Sequence, residues 1–153
     1  MVDRLAVLLD QFPVSAQVFQ AGTVCGINTV GDDAGFGQLH LVRRGPLEVS
    51  HAGTTVLVSE PSLLLYPRPL AHRFRSDPEQ GADMACANLR FEGGARNPVA
   101  AALPAFTCLP LATLDGAGPV LALLFEEAFE RRCGRQAIVE RLFEVVVVQL
   151  LRQ

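Results

Sequence analysis

Two histidines and a cysteine in this sequence have side chains suited to holding a metal or orienting a small molecule. His40 lies in "QLHLVRR" (38–44), where strand alternation puts Gln38, His40 and Val42 on one face and Leu39 and Leu41 on the other. If that strand lines a barrel, Gln38 and His40 look into it together. His72 follows the "YPRP" turn and begins another strand. The segment 83–91 sets Met84, Cys86, Asn88 and Arg90 on one face and Ala85, Ala87, Leu89 and Phe91 on the other. Imidazoles from His40 and His72, meeting inside a barrel with the Cys86 thiolate, could ligate a divalent metal such as zinc. Cys25 is a further thiol for that role. The same histidines could equally hydrogen-bond a small molecule. His51, in "HAGT", falls at a hairpin tip and is expected to be solvated.

Other chemistry finds no support. The sequence contains no GxSxG, GxxxxGK[ST], HExxH or GxGxxG. Asp32-Asp33 and Glu126-Glu127 are adjacent acids whose side chains point apart, which does not suit a catalytic dyad. All 13 basic residues are arginine, against 16 acidic ones, and the net charge of −3 lacks the basic footprint of a nucleic-acid binder. Arginine in place of every lysine suits a GC-rich bacterial gene. No run approaches the roughly 18 apolar residues of a membrane span, and the N-terminus does not read as a signal peptide, so a cytoplasmic protein is expected. Cys25, Cys86, Cys108 and Cys133 form no CxxC pair and are expected as free thiols.

The elements that must position these residues read as follows. At 153 residues, half of them hydrophobic, the chain has the size and apolar content of one domain. Asp3 caps a short helix over 3–11 that ends at Pro13. Strands are predicted at 17–20, 23–30, 38–44, 46–51, 54–59, 62–66, 71–75 and 83–91, punctuated by "AG", "GDDAGFG", "RRGP", "HAGT", "SEPS", "PRP" and "DPEQGAD". Asn97 and Pro98 start a short helix, 98–102. A helix from Pro119 to about Arg132 carries a favourable Glu127/Arg131 pair and ends at Gly134 as its C′ residue. A second helix runs from 135 to the end with the stripe Ile138, Val139, Leu142, Phe143, Val146, Leu150. Val145 to Val148 favour strand locally, but their flanks carry helical period. Val147, Val148 and Leu151 then fall off the main stripe, as core or as a partner contact. The fold class is therefore mainly β with flanking helices: an antiparallel barrel over about 17–92, then a helical part over about 97–153 that ends in a hairpin.

"QLHLVRRGPLEV" followed by "LLLYPRPLAHRF" resembles the two halves of a cupin jelly-roll barrel. More closely, with "CANLRFEGGARNPVAAALP" in place of the family's "CG…F" strand, "GG..NP" loop and "LP", the chain resembles the cupin-type N-terminal domain of AraC-family transcriptional regulators. The likeness covers nearly the whole chain. It departs at "EPS", where the family has Gly-Asp, at Ala87, where it has Gly, and at Gln38, where metal-binding cupins carry a carboxylate.

The resemblance implies a sensor domain rather than an enzyme. A small-molecule effector would contact Gln38, His40, His72 and Arg90. The C-terminal helices would mediate a homodimer, with Val139, Leu142, Phe143, Val146 and Leu150 as interface or packing residues. No DNA binding is expected from this chain alone, because the helix-turn-helix half is absent and "QLLRQ" ends about where an interdomain linker would begin. Two alternatives are a small metal-dependent cupin enzyme using His40 and His72, and a structural dimerisation module with a closed, dry barrel.

Overall fold

The computed structural model describes residues 1–32 and 35–153. Of the Asp32-Asp33 pair, Asp33 lies outside the described residues. Nine strands are present among them: β1 (Val14–Val24), β2 (Ile27–Val30), β3 (Gly37–Arg44), β4 (Leu47–His51), β5 (Thr54–Val58), β6 (Ser62–Tyr66), β7 (His72–Arg75), β8 (Ala82–Phe91) and β9 (Thr107–Pro110). Their pairing follows one rule. β4 pairs with β5, β3 with β6, β2 with β7 and β1 with β8, all antiparallel. The first eight strands are thus one long hairpin. Its tip is Ala52-Gly53, both at positive φ (47° and 78°), the backbone a two-residue hairpin turn demands. Rolling this hairpin gives two facing sheets, β1-β8-β3-β6-β9 and β2-β7-β4-β5. This is a jelly-roll sandwich, not a closed barrel.

The five-stranded sheet is buried on both faces. Inward, Val42, Leu64, Tyr66, Met84 and Cys86 meet Leu47, Val49, Val58 and Phe74 of the other sheet. Outward, Leu39, Leu41, Leu63, Leu65, Ala85, Ala87 and Leu89 pack under α3 (Gly118–Phe129) and α4 (Arg135–Leu151). Burial on both sides explains why "SLLLY" is apolar without alternation. Alanines at 85 and 87 allow the helices to approach closely.

The local caps form as the sequence predicts. Asp3 Oδ1 accepts from the Ala6 N–H (2.9 Å) at the start of α1 (Arg4–Gln11). Fully buried Asn97 accepts from Val99 and Ala100 at the start of α2 (Pro98–Ala102) and donates its amide to the Glu92 carbonyl (2.9 Å). Val145 to Val148 are helical; burial of Val146 and Val147 against the sheet outweighs their β preference.

Several boundaries differ from the sequence reading. β1 continues through "AG" with a bulge between Val18 and Gln20, and the chain breaks instead at Gly26 (φ 71°). β9, not predicted, forms because β6 has a free edge that the four residues Thr107–Pro110 can fill. α3 stops at Phe129, so Glu127 pairs with Arg132 (3.3 Å) rather than Arg131, and Gly134 (φ 78°) starts α4 instead of ending α3. The apolar surface left over is also elsewhere: Val147 is core, while Leu123, Ile138 and Val145 are exposed.

The edge of the larger sheet is closed by α4. β1 is its terminal strand, and its outward-facing groups bond to side chains one helical turn apart. Glu144 accepts from the Ala16 N–H (3.2 Å), Glu140 accepts from the Val18 N–H (2.9 Å), and Gln136 donates to the Val18 carbonyl (2.9 Å). Edge strands left open invite pairing with other chains, and here the helix occupies those groups.

Replacing Asn97 with Ala leaves two helix N–H groups and a carbonyl without their partner. A loss of roughly 2 kcal/mol in unfolding free energy is expected from urea denaturation.

Candidate functional site

Antiparallel register places three polar side chains of the inner face in one row: Asn88, Gln38 and Tyr66 are directly opposite one another on β8, β3 and β6. The next row holds Cys86, His40 and Leu64. From the other sheet, β7 brings His72 across the sandwich, and the two imidazoles meet with Nε2 to Nε2 at 2.9 Å. Both are buried.

Hydrogen bonding assigns the protons. His72 Nδ1 lies 2.6 Å from the Leu70 carbonyl and must donate to it. His72 Nε2 is therefore a lone pair, and His40 Nε2–H donates to it. That leaves His40 Nδ1 as a bare acceptor, and it is buried without a partner. Gln38 shows the same imbalance. Its amide nitrogen donates to Asn88 Oδ1 (3.0 Å), while its Oε1 is buried and unpaired. Two unmet acceptors thus lie on the same face of one strand.

Aromatic rings enclose the pair. Tyr66 stacks on His72 (centroids 4.0 Å, planes 8° apart), and Phe74, Tyr66 and Phe19 meet His40 edge-on at 4.7, 6.1 and 6.2 Å. The Tyr66 hydroxyl is 2.8 Å from His51 Nδ1, and Phe106 covers both rings. Expected to be solvated, His51 is instead half-buried and joined to this cluster, because its partner comes from β6, not from the turn. All three histidines and the one tyrosine of the chain therefore share one site. Burial disfavours the charged forms of His40, His72, Tyr66 and Cys86. It holds His40 well below its usual range, with His72 adding to the effect, and lowers His72, against a smaller upward pull from the Leu70 carbonyl. It pushes the Tyr66 phenol and the Cys86 thiol upward.

The remaining predicted residues lie around this centre. Arg90 is on the same face of β8 but beyond Asn88, exposed at the open end, with its guanidinium over Phe36 (5.5 Å). There it borders a cavity of about 800 Å³ with Phe36, Arg68 and Glu92, and is not brought to the histidines. Cys86 lies beside His40 and, with Cys25 at the surface, lines a second cavity of about 320 Å³ bounded by Phe19 and Phe74. On α4, Val139, Phe143 and Val146 are buried against the sheet, whereas Leu142 and Leu150 are partly exposed. Sequence reasoning missed Tyr66, Phe19, Phe74, Asn88 and Phe106 as site residues. The single tyrosine beside the proline turn was the one local signal available.

A family model described as cupin matches residues 3–153. The chain belongs to the cupin family. No curated protein matches it. Among solved structures it is similar to apo ToxT K231A of Vibrio cholerae strain SCE256 (10% identity, TM-score 0.44, 92% of this chain and 56% of that one). It is also similar to ToxT of Vibrio cholerae O395 (7%, TM-score 0.40, 94% and 55%). The cupin chain thus spans just over half the length of those proteins.

A metal does not fit this cupin's donors as they are arranged. Among the described residues, no three His, Cys, Asp or Glu side chains converge as a ligand set. His40 and His72 spend their facing nitrogens on each other.

The buried histidines set a pH dependence. The unfolded chain takes up protons near pH 6.5 that buried His40 refuses, so stability is full above that value and falls as the pH drops below it. The slope from His40 is about 1.4 kcal/mol per pH unit. Urea denaturation between about pH 7.5 and about pH 5 checks this. His40→Gln, which retains a donor for His72, is expected to remove His40's share of the slope.

Proposed function

We propose that this chain is the effector-binding and dimerisation domain of an AraC-type bacterial transcriptional regulator, and not an enzyme. The observation that carries the effector reading is the pair of unmet acceptors, Gln38 Oε1 and His40 Nδ1, buried between the sheets. A protein interior leaves few polar atoms unpaired, since each costs on the order of 1–3 kcal/mol. Two in one place are accounted for by a ligand that completes them. The AraC assignment rests on the motifs "QLHLVRRGPLEV" and "CANLRFEGGARNPVAAALP" within a cupin chain. DNA contact would belong to a helix-turn-helix part outside residues 1–153. The test is native mass spectrometry of the domain purified from a bacterial host. A small-molecule adduct is expected on the wild type and absent from His40→Leu; identical spectra count against the reading.

The route from site to helix is short. Phe19, at the β1 bulge, touches His40. Its neighbour Val18 is bonded through both backbone groups to Glu140 and Gln136 of α4. A ligand beside His40 displaces Phe19, shifts the β1 edge and re-seats α4, favouring one of two arrangements by its differential affinity. Phe19 is 45% exposed, so Phe19→Ala should fold. Faster amide exchange at Val18 and along residues 136–148 is expected in that variant. Unchanged protection there removes this route.

For the dimer, the free face of α4 carries Ile138, Leu142 and Val145 at i, i+4, i+7, with Ile138 42% and Val145 40% exposed. A second copy is the proposed occupant. Phe143→Asp would test the fold, because Phe143 is fully buried. Val145→Asp is the cleaner probe. It should give monomer in sedimentation with stability within about 0.5 kcal/mol of wild type.

A further inference from the structure

The open end of the sandwich, apart from the histidine centre, has two adjoining spaces of different character. On the inner face of the larger sheet Ser15 of β1 stands directly opposite Arg90 of β8, and Gln17 stands opposite Asn88. With Ala16 and with Phe36, which precedes β3, these residues bound a niche of about 170 Å³. Ser15, Phe36 and Arg90 also border the cavity of about 800 Å³, so the two spaces share a wall.

The niche presents donors. The Arg90 guanidinium lies over the Phe36 ring (5.5 Å) and pairs with no carboxylate among the described residues. Arg68, the other arginine at the larger cavity, has its Nη1 committed to the Ala100 and Leu103 carbonyls at the end of α2. Asn88 is oriented by its neighbour on β3. Its Oδ1 accepts from the Gln38 amide (3.0 Å), which leaves the Nδ2 hydrogens for the niche. Ser15 adds a hydroxyl. No acidic residue lines the niche, whereas Glu92 lines the larger cavity.

Beyond the shared wall, Pro13, Pro67, Leu89, Phe91 and Ala100 give the larger cavity much of its lining, and it is apolar. A negative head group therefore belongs in the niche, away from Glu92, and hydrocarbon belongs beyond it. A carboxylate matches a guanidinium fork through two parallel charge-assisted hydrogen bonds. One guanidinium also balances one negative charge, while a phosphate monoester carries nearly two at neutral pH. We propose that this end of the sandwich binds an organic monocarboxylate. Its carboxylate sits on Arg90, Asn88 and Ser15, and its apolar body lies in the larger cavity against Phe36 and Leu89. The site uses neither Gln38 Oε1 nor His40 Nδ1, so it stands or falls apart from the effector reading above.

Amide NMR of the ¹⁵N-labelled chain, titrated with sodium phenylacetate, tests this. The Ser15 and Phe36 backbone signals and the Asn88 side-chain signal should shift together and saturate, with a Kd of about 1–10 mM for a ligand of this size. Phenylacetamide, the uncharged counterpart, should bind about tenfold more weakly, because it lacks the charge-assisted bond. Arg90→Gln alters an exposed residue and should raise the phenylacetate Kd about tenfold. Arg73→Gln makes the same charge change at an exposed position between buried His72 and Phe74, and should leave the Kd unchanged. An equal loss in Arg73→Gln reduces the binding to net charge and overturns the site. Equal binding of phenylacetamide removes the anion from the proposal, and tighter binding of benzylphosphonate removes the carboxylate. If phenylacetate shifts none of these signals by about 50 mM, the site itself falls.

Discussion

Burial of one sheet on both faces is the constraint from which the rest of this fold follows. β3, β6 and β8 have the second sheet on one side and α3 and α4 on the other. No side chain at their centre can reach solvent, so every polar group there must find its partner inside. Alternation along β3 sends Leu39 and Leu41 to the helices and Gln38 and His40 to the other sheet. The helix side is filled with hydrocarbon. The sandwich side collects the polar groups, and it is there that hydrogen bonding fails to close.

Two of the three buried side-chain atoms left without a partner among the described residues lie at that centre; the third is Glu127 Oε2 on α3. Asn97, equally buried, has its polar side chain completed by Val99, Ala100 and Glu92. His72 is completed by Leu70 and His40. The fold can satisfy buried polar atoms where only structure is at stake. Gln38 and His40 differ in that an acceptor on each stays open, and His40 meets Phe19, the residue at the β1 bulge, edge-on. A strained or incomplete spot inside an otherwise consistent structure is where function is expected.

The same strand connects the centre to the helical layer. Sheet edges are costly to leave bare, and β1 is covered by Gln136, Glu140 and Glu144 from α4. These three are spaced one helical turn apart, so they face a single strand. Protecting the edge and coupling the edge to the helix are one physical arrangement, because the bonds that block outside pairing also carry any movement of β1.

Local features were legible in the sequence. Alternation over 38–44, the Ala52-Gly53 tip, the Asp3 and Asn97 caps and the cupin motifs all depend on residues a few positions apart, and the structure contains each of them. Tertiary structure decided the rest. That His40 meets His72 across the sandwich, that His51 bonds to Tyr66 instead of water, that β9 fills the edge of β6, that Gly134 begins a helix rather than ends one, and that α4 spends its glutamates on β1 are all set by contacts between residues remote in the chain or by which face is left to bury. Periodicity says which way a side chain points from its own backbone. Only the packing of one element on another says what it meets there.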